Sequence, residues 1–375
     1  MKAYDAIVLG IGGVGSAALY ELARRGVRVL GIDRFDPPHD RGSSHGHTRV
    51  IRQAYFEHPD YVPLLIESYR LWQELEQRSG RQLFHQVGLL EVGPSDGIVV
   101  PGVLRAATDH ALEVERLSAA EIERRWPGFR VPGDLEGVFE PGAGYLLVEE
   151  CVAAQLAAAQ AAGANLRTNT EVLNWTADER GVRVYTSAGD FSAASLLVAA
   201  GSWAERLLAL RNLSLTVLRK SLFWFETTAT QYDAEAGCPV FLFELPYGVF
   251  YGFPKLDARG VKIAEHTGGS PVDDPLAVRR DIDRGEELRL REFLAAHLPD
   301  ISPSVSDHAV CLYTMTPDEH FLVDRHPWHA NVVFAAGLSG HGFKFVPVLG
   351  RALAELMLDG RTELPIGFLS LGRFG

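Results

Sequence analysis

The residues whose spacing most clearly suggests chemistry lie at the start of the chain, in Ala6-Ile7-Val8-Leu9-Gly10-Ile11-Gly12-Gly13-Val14-Gly15. Glycines 10, 12 and 15 have the spacing of a dinucleotide-binding turn. The first permits the tight turn, the second lets the backbone approach a pyrophosphate, and the third lets a helix pack on a strand. Asp33 closes the next apolar run, Val27 to Ile32, where a carboxylate would hold a ribose hydroxyl. FAD and NAD both satisfy this stretch. A second glycine-rich turn, Leu338-Ser339-Gly340-His341-Gly342-Phe343-Lys344-Phe345, precedes a helical pattern from about Pro347 to Leu358. A helix N-terminus offers free N–H groups and a positive dipole end to an anion. An NAD domain has no need of that closing element. A reduced flavin, charged at its pyrimidine end, does, so the second turn favours FAD.

Three further sets of residues could act on a substrate. Arg49 and Arg52 end a long Pro-, Gly- and Ser-rich loop that begins at Asp36. Long loops inside compact domains are usually functional. A helical turn starting near Thr48 would put both arginines on one face, to address two anionic groups; the plainer alternative is a solvated basic turn. Lys262 interrupts an apolar strand, Val261-Lys262-Ile263, four positions before His266. Cys311, taken alone, reads as a small buried hydrophobe. His45 and His47 flank Gly46, but no third ligand stands at a recognisable spacing, so no metal is expected.

The elements that must position these residues are legible as patterns. Ser16 to Arg25 reads as a helix stopped at Gly26, and residues 61 to 78 as an amphipathic helix. Gly88-Leu89-Leu90-Glu91-Val92-Gly93 is a short strand. Helices are expected over Leu104 to Ala111, Ala119 to Arg125, Glu149 to Ala162 with Cys151 in its packed face, and 276 to 297. Ala164 to Trp175 reads as one strand, followed by a meander through Val182 to Thr186 and Leu196 to Gly201. Small residues at Gly201-Ser202 allow close backbone approach to a ligand. Alternation from 218 to 266 describes a largely antiparallel sheet separate from the first unit. Asn331 to Gly337 is a buried strand of the nucleotide-binding type.

The composition narrows the class. The 375 residues suffice for two domains, with 47% hydrophobic and 22% charged residues, as in ordinary soluble globular proteins. A net charge of −12 argues against a nucleic-acid partner. No apolar run reaches membrane-spanning length, the N-terminus leads straight into a strand with no room for a signal peptide, and three scattered cysteines suit a reducing compartment. A cytoplasmic protein is the expectation.

The chain resembles, nearly end to end, the monomeric sarcosine oxidase and N-methyltryptophan oxidase family of flavoprotein amine oxidases. The resemblance is carried by the glycine turn through Asp33, Asp36-Pro37-Pro38-His39, Gly42-Ser43-Ser44-His45-Gly46-His47-Thr48-Arg49, Tyr251-Gly252-Phe253-Pro254, Cys311-Leu312-Tyr313-Thr314, Asp318-Glu319-His320-Phe321 and Gly340-His341-Gly342-Phe343-Lys344-Phe345. His47 and Ser44 depart from it, where the family often has aspartate and histidine. The resemblance implies a mixed α/β fold. Residues 1–85, 145–217 and 318–375 would form a discontinuous Rossmann-like FAD domain; 86–144 and 218–317 would form a mostly antiparallel substrate domain. It implies FAD bound covalently through Cys311, with Gly10, Gly12, Gly15, Asp33, Ser43, His45, Arg49, Val172, Gly201, Gly340, Gly342 and Lys344 around the cofactor. Arg52 and Lys344 would clamp a substrate carboxylate, Tyr251 and His266 would line the amine, Tyr313 would line the pocket, and Lys262 would serve the oxygen reaction. Leu242, Phe243 and Tyr247 are candidates to shape the side-chain pocket.

The implied activity is oxidation of N-methyl amino acids by hydride transfer to FAD, with molecular oxygen as acceptor, in a monomer without membrane or nucleic-acid partners. The products would be hydrogen peroxide, formaldehyde and the amino acid. A cyclic imino acid or bulkier N-substituted amino acid is the alternative substrate, and an NAD-type reductase the alternative of another class.

Overall fold

The computed structural model describes residues 3–210 and 213–375. Its first sheet has eight strands. Ala3–Leu9 lies at the centre, parallel to Val29–Ile32 on one side and Gly189–Val198 on the other, with Ile7 opposite Leu30 and Leu196. Residues 6–9 are buried, so the strand reads as an unbroken apolar run and not as alternation. Val332–Ala336 adds a further parallel strand beside Gly189–Val198. The helices Gly13–Arg24, Val148–Ala161 and Val346–Asp359 pack together on this sheet. Two glycines make the turn and the helix contact possible. A Cβ on Gly15 would stand 1.8 Å from the Gly10 carbonyl oxygen, and one on Gly350 would stand 2.6 Å from Ala17 Cβ.

The second sheet has nine strands, antiparallel except where Val240–Leu245 runs parallel to Leu89–Pro94. Strand alternation decides what it can do. One face, carrying Leu90, Phe223, Phe225, Phe241, Phe243, Phe250 and Ile263, is sealed by Phe293 and Leu290 of the helix Arg284–His297. The opposite parity collects Glu91, Lys220, Leu242, Tyr251, Lys262, Cys311 and Tyr313. Every residue on that second face with a chemical handle is thus turned the same way. A small third sheet joins Thr48–Ile51 and Phe84–His85 to Gly144–Leu147.

Four expectations about elements need correction. The arginine segment is a strand, Thr48–Ile51, and not a helical turn. The helix expected from Leu104 starts at Val99, because the carboxylate of distant Glu244 accepts the N–H groups of Ile98 and Val99 at 2.8–3.0 Å. The strand expected over 164–175 divides into Asn165–Arg167 and Val172–Asp178 around Asn169, whose φ is 52°. The helix expected over 276–297 forms only from Arg284: Asp283 caps it, and Arg219 takes the carbonyls of Arg279 and Asp281 at 2.8 and 2.6 Å.

Candidate active site

A solvent-open cleft of about 1510 Å³ lies over the glycine turn. Gly10, Gly12, Asp33, Ser43, Val172 and Gly201 line it, and Gly340 and Gly342 of the second glycine turn do so as well. Gly12 caps the helix Gly13–Arg24 without a side-chain bond, and no acid stands in the first turn. The positive end of this helix therefore faces the cleft unneutralised. The Ser44 hydroxyl accepts the Gly13 N–H at 3.1 Å. Asp33 accepts Ile11 N–H at 2.9 Å and Phe35 N–H at 3.0 Å, so its carboxylate braces the turn as well as lining the cleft.

A second pocket, about 540 Å³, adjoins the first, and Arg49, Tyr313, Gly340 and Phe343 line both. Arg52, Lys344, Tyr251, His266 and Leu242 are among its walls. Arg52 is buried and already paired. Nη2 donates to both oxygens of Glu57 at 2.7 and 2.6 Å, and Nη1 donates to Glu91 at 2.9 Å. Lys344 Nζ donates to the His341 carbonyl at 2.9 Å and sits 5.1 Å from the Tyr55 ring centroid. Burial, and after it the charge of Arg52, brings the Lys344 pKa down to about 7. Burial lowers His266 to about 3, so its imidazole is neutral at physiological pH. Its Nδ1 lies 3.5 Å from the Tyr313 hydroxyl. Burial raises the pKa of Tyr251, which keeps the phenol protonated.

Arg49, itself in the walls of both pockets, joins three segments. It donates to the Thr48 carbonyl at 2.8 Å, to the Ser43 carbonyl at 3.0 Å and to Cys311 Sγ at 3.1 Å. Lys262 is 2% exposed, which rules out a solvated lysine on a half-buried strand. Its Nζ donates to the Gly46 carbonyl at 2.6 Å, the Thr48 carbonyl at 2.9 Å and Thr48 Oγ1 at 3.1 Å. Burial, then Arg49, pushes its pKa well below the ordinary lysine value. Three oxygens nevertheless match the three donors of an ammonium, and that is the form this geometry accommodates. Glu149 closes the other side of the same loop by accepting Gly46 N–H at 2.7 Å and His47 N–H at 3.1 Å.

A profile of FAD dependent oxidoreductases matches residues 5–356. The chain belongs to that family. It is 40% identical to a monomeric sarcosine oxidase of Bacillus sp. (strain B-0618), over 99% of this chain and 96% of that one. It is 37% identical to an N-methyl-L-tryptophan oxidase of Salmonella dublin, over 99% of both. Among solved structures, NikD, an unusual amino acid oxidase essential for nikkomycin biosynthesis, superposes with a TM-score of 0.87 at 29% identity, covering 99% of this chain and 98% of that one. A glycine oxidase from Geobacillus kaustophilus shares the fold, with a TM-score of 0.81 at 23% identity over 99% of each chain.

As a member of the FAD-dependent oxidoreductases, the chain has a cleft that fits the dinucleotide. The uncapped helix end would meet a pyrophosphate there, and Asp33 stands just past the tip of the neighbouring strand. The two pockets touch at Gly340, where a Cβ would lie 2.3 Å from the Tyr313 ring, so only glycine leaves that junction open. Buried His45 Nε2, close to the cleft-lining Ser43 and Ser44 in sequence, has no hydrogen-bond partner among the described residues. Of the expected site residues, Gly15, His45, Lys262 and Cys311 lie outside the lining of both pockets. Gly15 packs beneath the turn, and Cys311 adjoins the cleft through Leu312. Of the three side-chain-pocket candidates only Leu242 lines a wall. Phe243 has the opposite strand parity and is buried in the aromatic core, while Tyr247 is 49% exposed beside Phe250. Glu57, Glu91, His341 and Glu149 were not singled out from the sequence as site residues. An acid within the apolar run of 89–92 is the one signal from which Glu91 could be found.

Proposed function

We propose that this protein oxidises secondary amino acids, above all N-methyl amino acids such as sarcosine, with FAD as cofactor and oxygen as electron acceptor. For sarcosine the balance is sarcosine plus water plus oxygen giving glycine, formaldehyde and hydrogen peroxide. Bound FAD supplies the two-electron acceptor for the hydride that leaves the carbon next to nitrogen. The observation that carries this reading is the second pocket: two cations, Arg52 and Lys344, share its walls with neutral His266 and protonated Tyr251, next to the cofactor cleft. The cations bind the substrate carboxylate, and with it they fix the position of the N-methyl group. Neutral His266 adds no positive charge beside the amine, so the reactive unprotonated amine is not disfavoured by it. Lys262 holds positive charge behind the loop 46–48, where it stabilises charge developing on oxygen. Cys311, next to Arg49, is the attachment point for FAD. The first sheet would serve the cofactor and the second the substrate, along the boundaries expected from the sequence, in a monomeric cytoplasmic protein.

A peroxide assay tests the reading on sarcosine, bulkier N-methyl amino acids, proline and pipecolate. Peroxide with N-methyl amino acids and little with the cyclic acids is the expected pattern. Turnover of the cyclic acids alone would move the substrate class, and a protein without flavin absorbance would end the proposal.

A further inference from the structure

Glu91 has no part in the chemistry described so far, yet it is one of the most enclosed acids in the protein. Its residue is 0% exposed in the middle of the strand Leu89–Pro94, and alternation turns it away from the aromatic core. One oxygen accepts Arg52 Nη1 at 2.9 Å; the other, Oε2, has no partner among the described residues. An ionised carboxylate normally fills its several acceptor sites, and leaving one empty in a dry interior is costly. Neutralised, the group still leaves one hydroxyl unpartnered at Oε2, but it no longer buries a second carboxylate against a guanidinium whose other nitrogen already serves both oxygens of Glu57, so the neutral form is the less costly one.

We propose that Glu91 is a positioning residue for the carboxylate clamp: held neutral in the apolar sheet, it anchors the Arg52 guanidinium by Nη1 without cancelling the positive charge that receives the substrate. The inference rests on the reading of Arg52 and Lys344 as that clamp. The charges make the point. Arg52 and Lys344 face a single paired carboxylate, Glu57, and so leave positive charge for the substrate carboxylate to meet. An ionised Glu91 would remove it. A hydrophobic residue at 91 would leave Nη1 unpartnered beside an Nε that already lacks a partner among the described residues, so hydrogen bonds would hold the guanidinium through Nη2 and Glu57 alone.

The groups acting on Glu91 come from every side. Burial dominates, followed by Arg52 from the segment after Thr48–Ile51, Glu140 from the neighbouring strand, Glu57 from the loop and Lys344 from the second glycine turn. Glu140 is itself engaged by the Gln53 and Ala54 N–H groups at 2.8 and 3.0 Å. Together these bring the Glu91 pKa up to about 8, while Lys344 lies at about 7. Binding an anion raises both values further. Affinity for a carboxylate therefore falls as pH rises, once as Lys344 loses its proton and again as Glu91 loses its own.

The test titrates the holoenzyme with acetate, a carboxylate-only probe, by the change in visible flavin absorption from pH 6 to 9.5. The unaltered protein should show both steps. Glu91→Gln keeps the shape and an acceptor but cannot ionise. It should match the parent at pH 6.5, lose the upper step, and bind acetate about tenfold more tightly than the parent at pH 9. A purely structural role would shift affinity equally at every pH and leave both steps in place, which would overturn the inference. If Glu91→Gln fails to fold, Lys344→Met decides: the step near pH 8 must survive there, and a flat profile overturns the inference. Arg52→Met separates the two levels. If it leaves acetate affinity unchanged, the clamp itself is wrong. If it weakens acetate while Glu91→Gln retains the parent profile, the clamp stands and Glu91 is not its anchor.

Discussion

At the scale of single residues, the site is a set of buried cations, and each is defined by what it is tied to. Lys262 is the sharpest case. If its ammonium acts on oxygen from about 4 Å at an effective dielectric near 20, the attraction is about 4 kcal/mol, on the order of a thousandfold in rate. Lys262→Met should therefore slow reoxidation by oxygen by at least about a hundredfold and change anaerobic reduction by substrate much less, as read by stopped flow. The same substitution takes a donor from three oxygens, but the Gly46 carbonyl keeps the Thr48 N–H and the Thr48 carbonyl keeps Arg49, so Thr48 Oγ1 is the one left without a partner among the described residues, and a loss of stability of about 1–3 kcal/mol accompanies it. Reoxidation at the parent rate would remove Lys262 from the chemistry and leave it a brace for the loop. Cys311 gives a second, independent check. Acid precipitation should carry flavin down with the unaltered protein, and Cys311→Ser should leave the flavin in solution. Yellow supernatant from the parent would end the covalent link without touching the enzyme class. The cations were visible in the sequence as charges in the wrong company, a lysine in an apolar strand and arginines closing a loop. Their counter-ions were not. Glu91 lies 39 positions from Arg52, and only the fold brings them together.

At the scale of elements, two rules turn sequence into site. Period-2 alternation puts Lys262, Tyr251, Leu242 and Cys311 on one face and Phe243 on the other, which the sequence could have told without any structure. The glycine turns were equally plain, because backbone proximity demands the residue type itself. What stayed hidden was set by distant partners. Glu244 starts the helix Val99–His110 from across the sheet, and buried Arg219 keeps 279–281 out of the following helix. The arginine segment pairs with Gly144–Leu147, almost a hundred residues on, so local spacing wrongly suggested a helical turn. Gly340 allows the second turn to be tested as an element. Its φ is +81°, and an added Cβ would meet the Tyr313 ring at 2.3 Å. Gly340→Ala should cost about 1–3 kcal/mol of backbone strain and displace Tyr313, lowering both thermal stability and the flavin-to-protein ratio. Full flavin content at parental stability would show that the junction between the pockets tolerates a side chain.

At the scale of the whole molecule, a site built from buried polar groups makes the fold itself sensitive to acid. Burial holds His45 and His341 at about 4 and His266 at about 3, against 6.5 for a free imidazole. Below pH 6.5 the unfolded chain takes up protons on these residues and the native chain does not. Where the unfolded state binds more protons, stability rises with pH, so it falls as pH drops through this window. Glu91 opposes the trend. Its native pKa, about 8 against 4.5, means the folded protein binds the extra proton between those values, and stability is lost as pH rises. Glu140 shifts in the same direction. Three histidines against one fully shifted carboxyl leave a net two protons, about 2.7 kcal/mol per pH unit between roughly pH 6 and 4.5. Burial lowers His47, His297 and His308 too, which adds to the histidine side. Glu57 enters only later: Arg52 opposes the cost of its burial and holds it at about 2, so its contribution is intact above pH 4.5 and is lost as pH falls toward 2. The holoenzyme should therefore lose thermal stability steeply from pH 6.5 to 4.5, before the ordinary carboxylates titrate, in a series of calorimetric scans. His341→Gln should flatten that slope by about one proton, because glutamine offers nothing to titrate. A Tm constant from pH 6.5 to 5 would mean that these imidazoles are charged in the folded protein. It would also remove the neutral His266 on which the placement of the substrate amine depends.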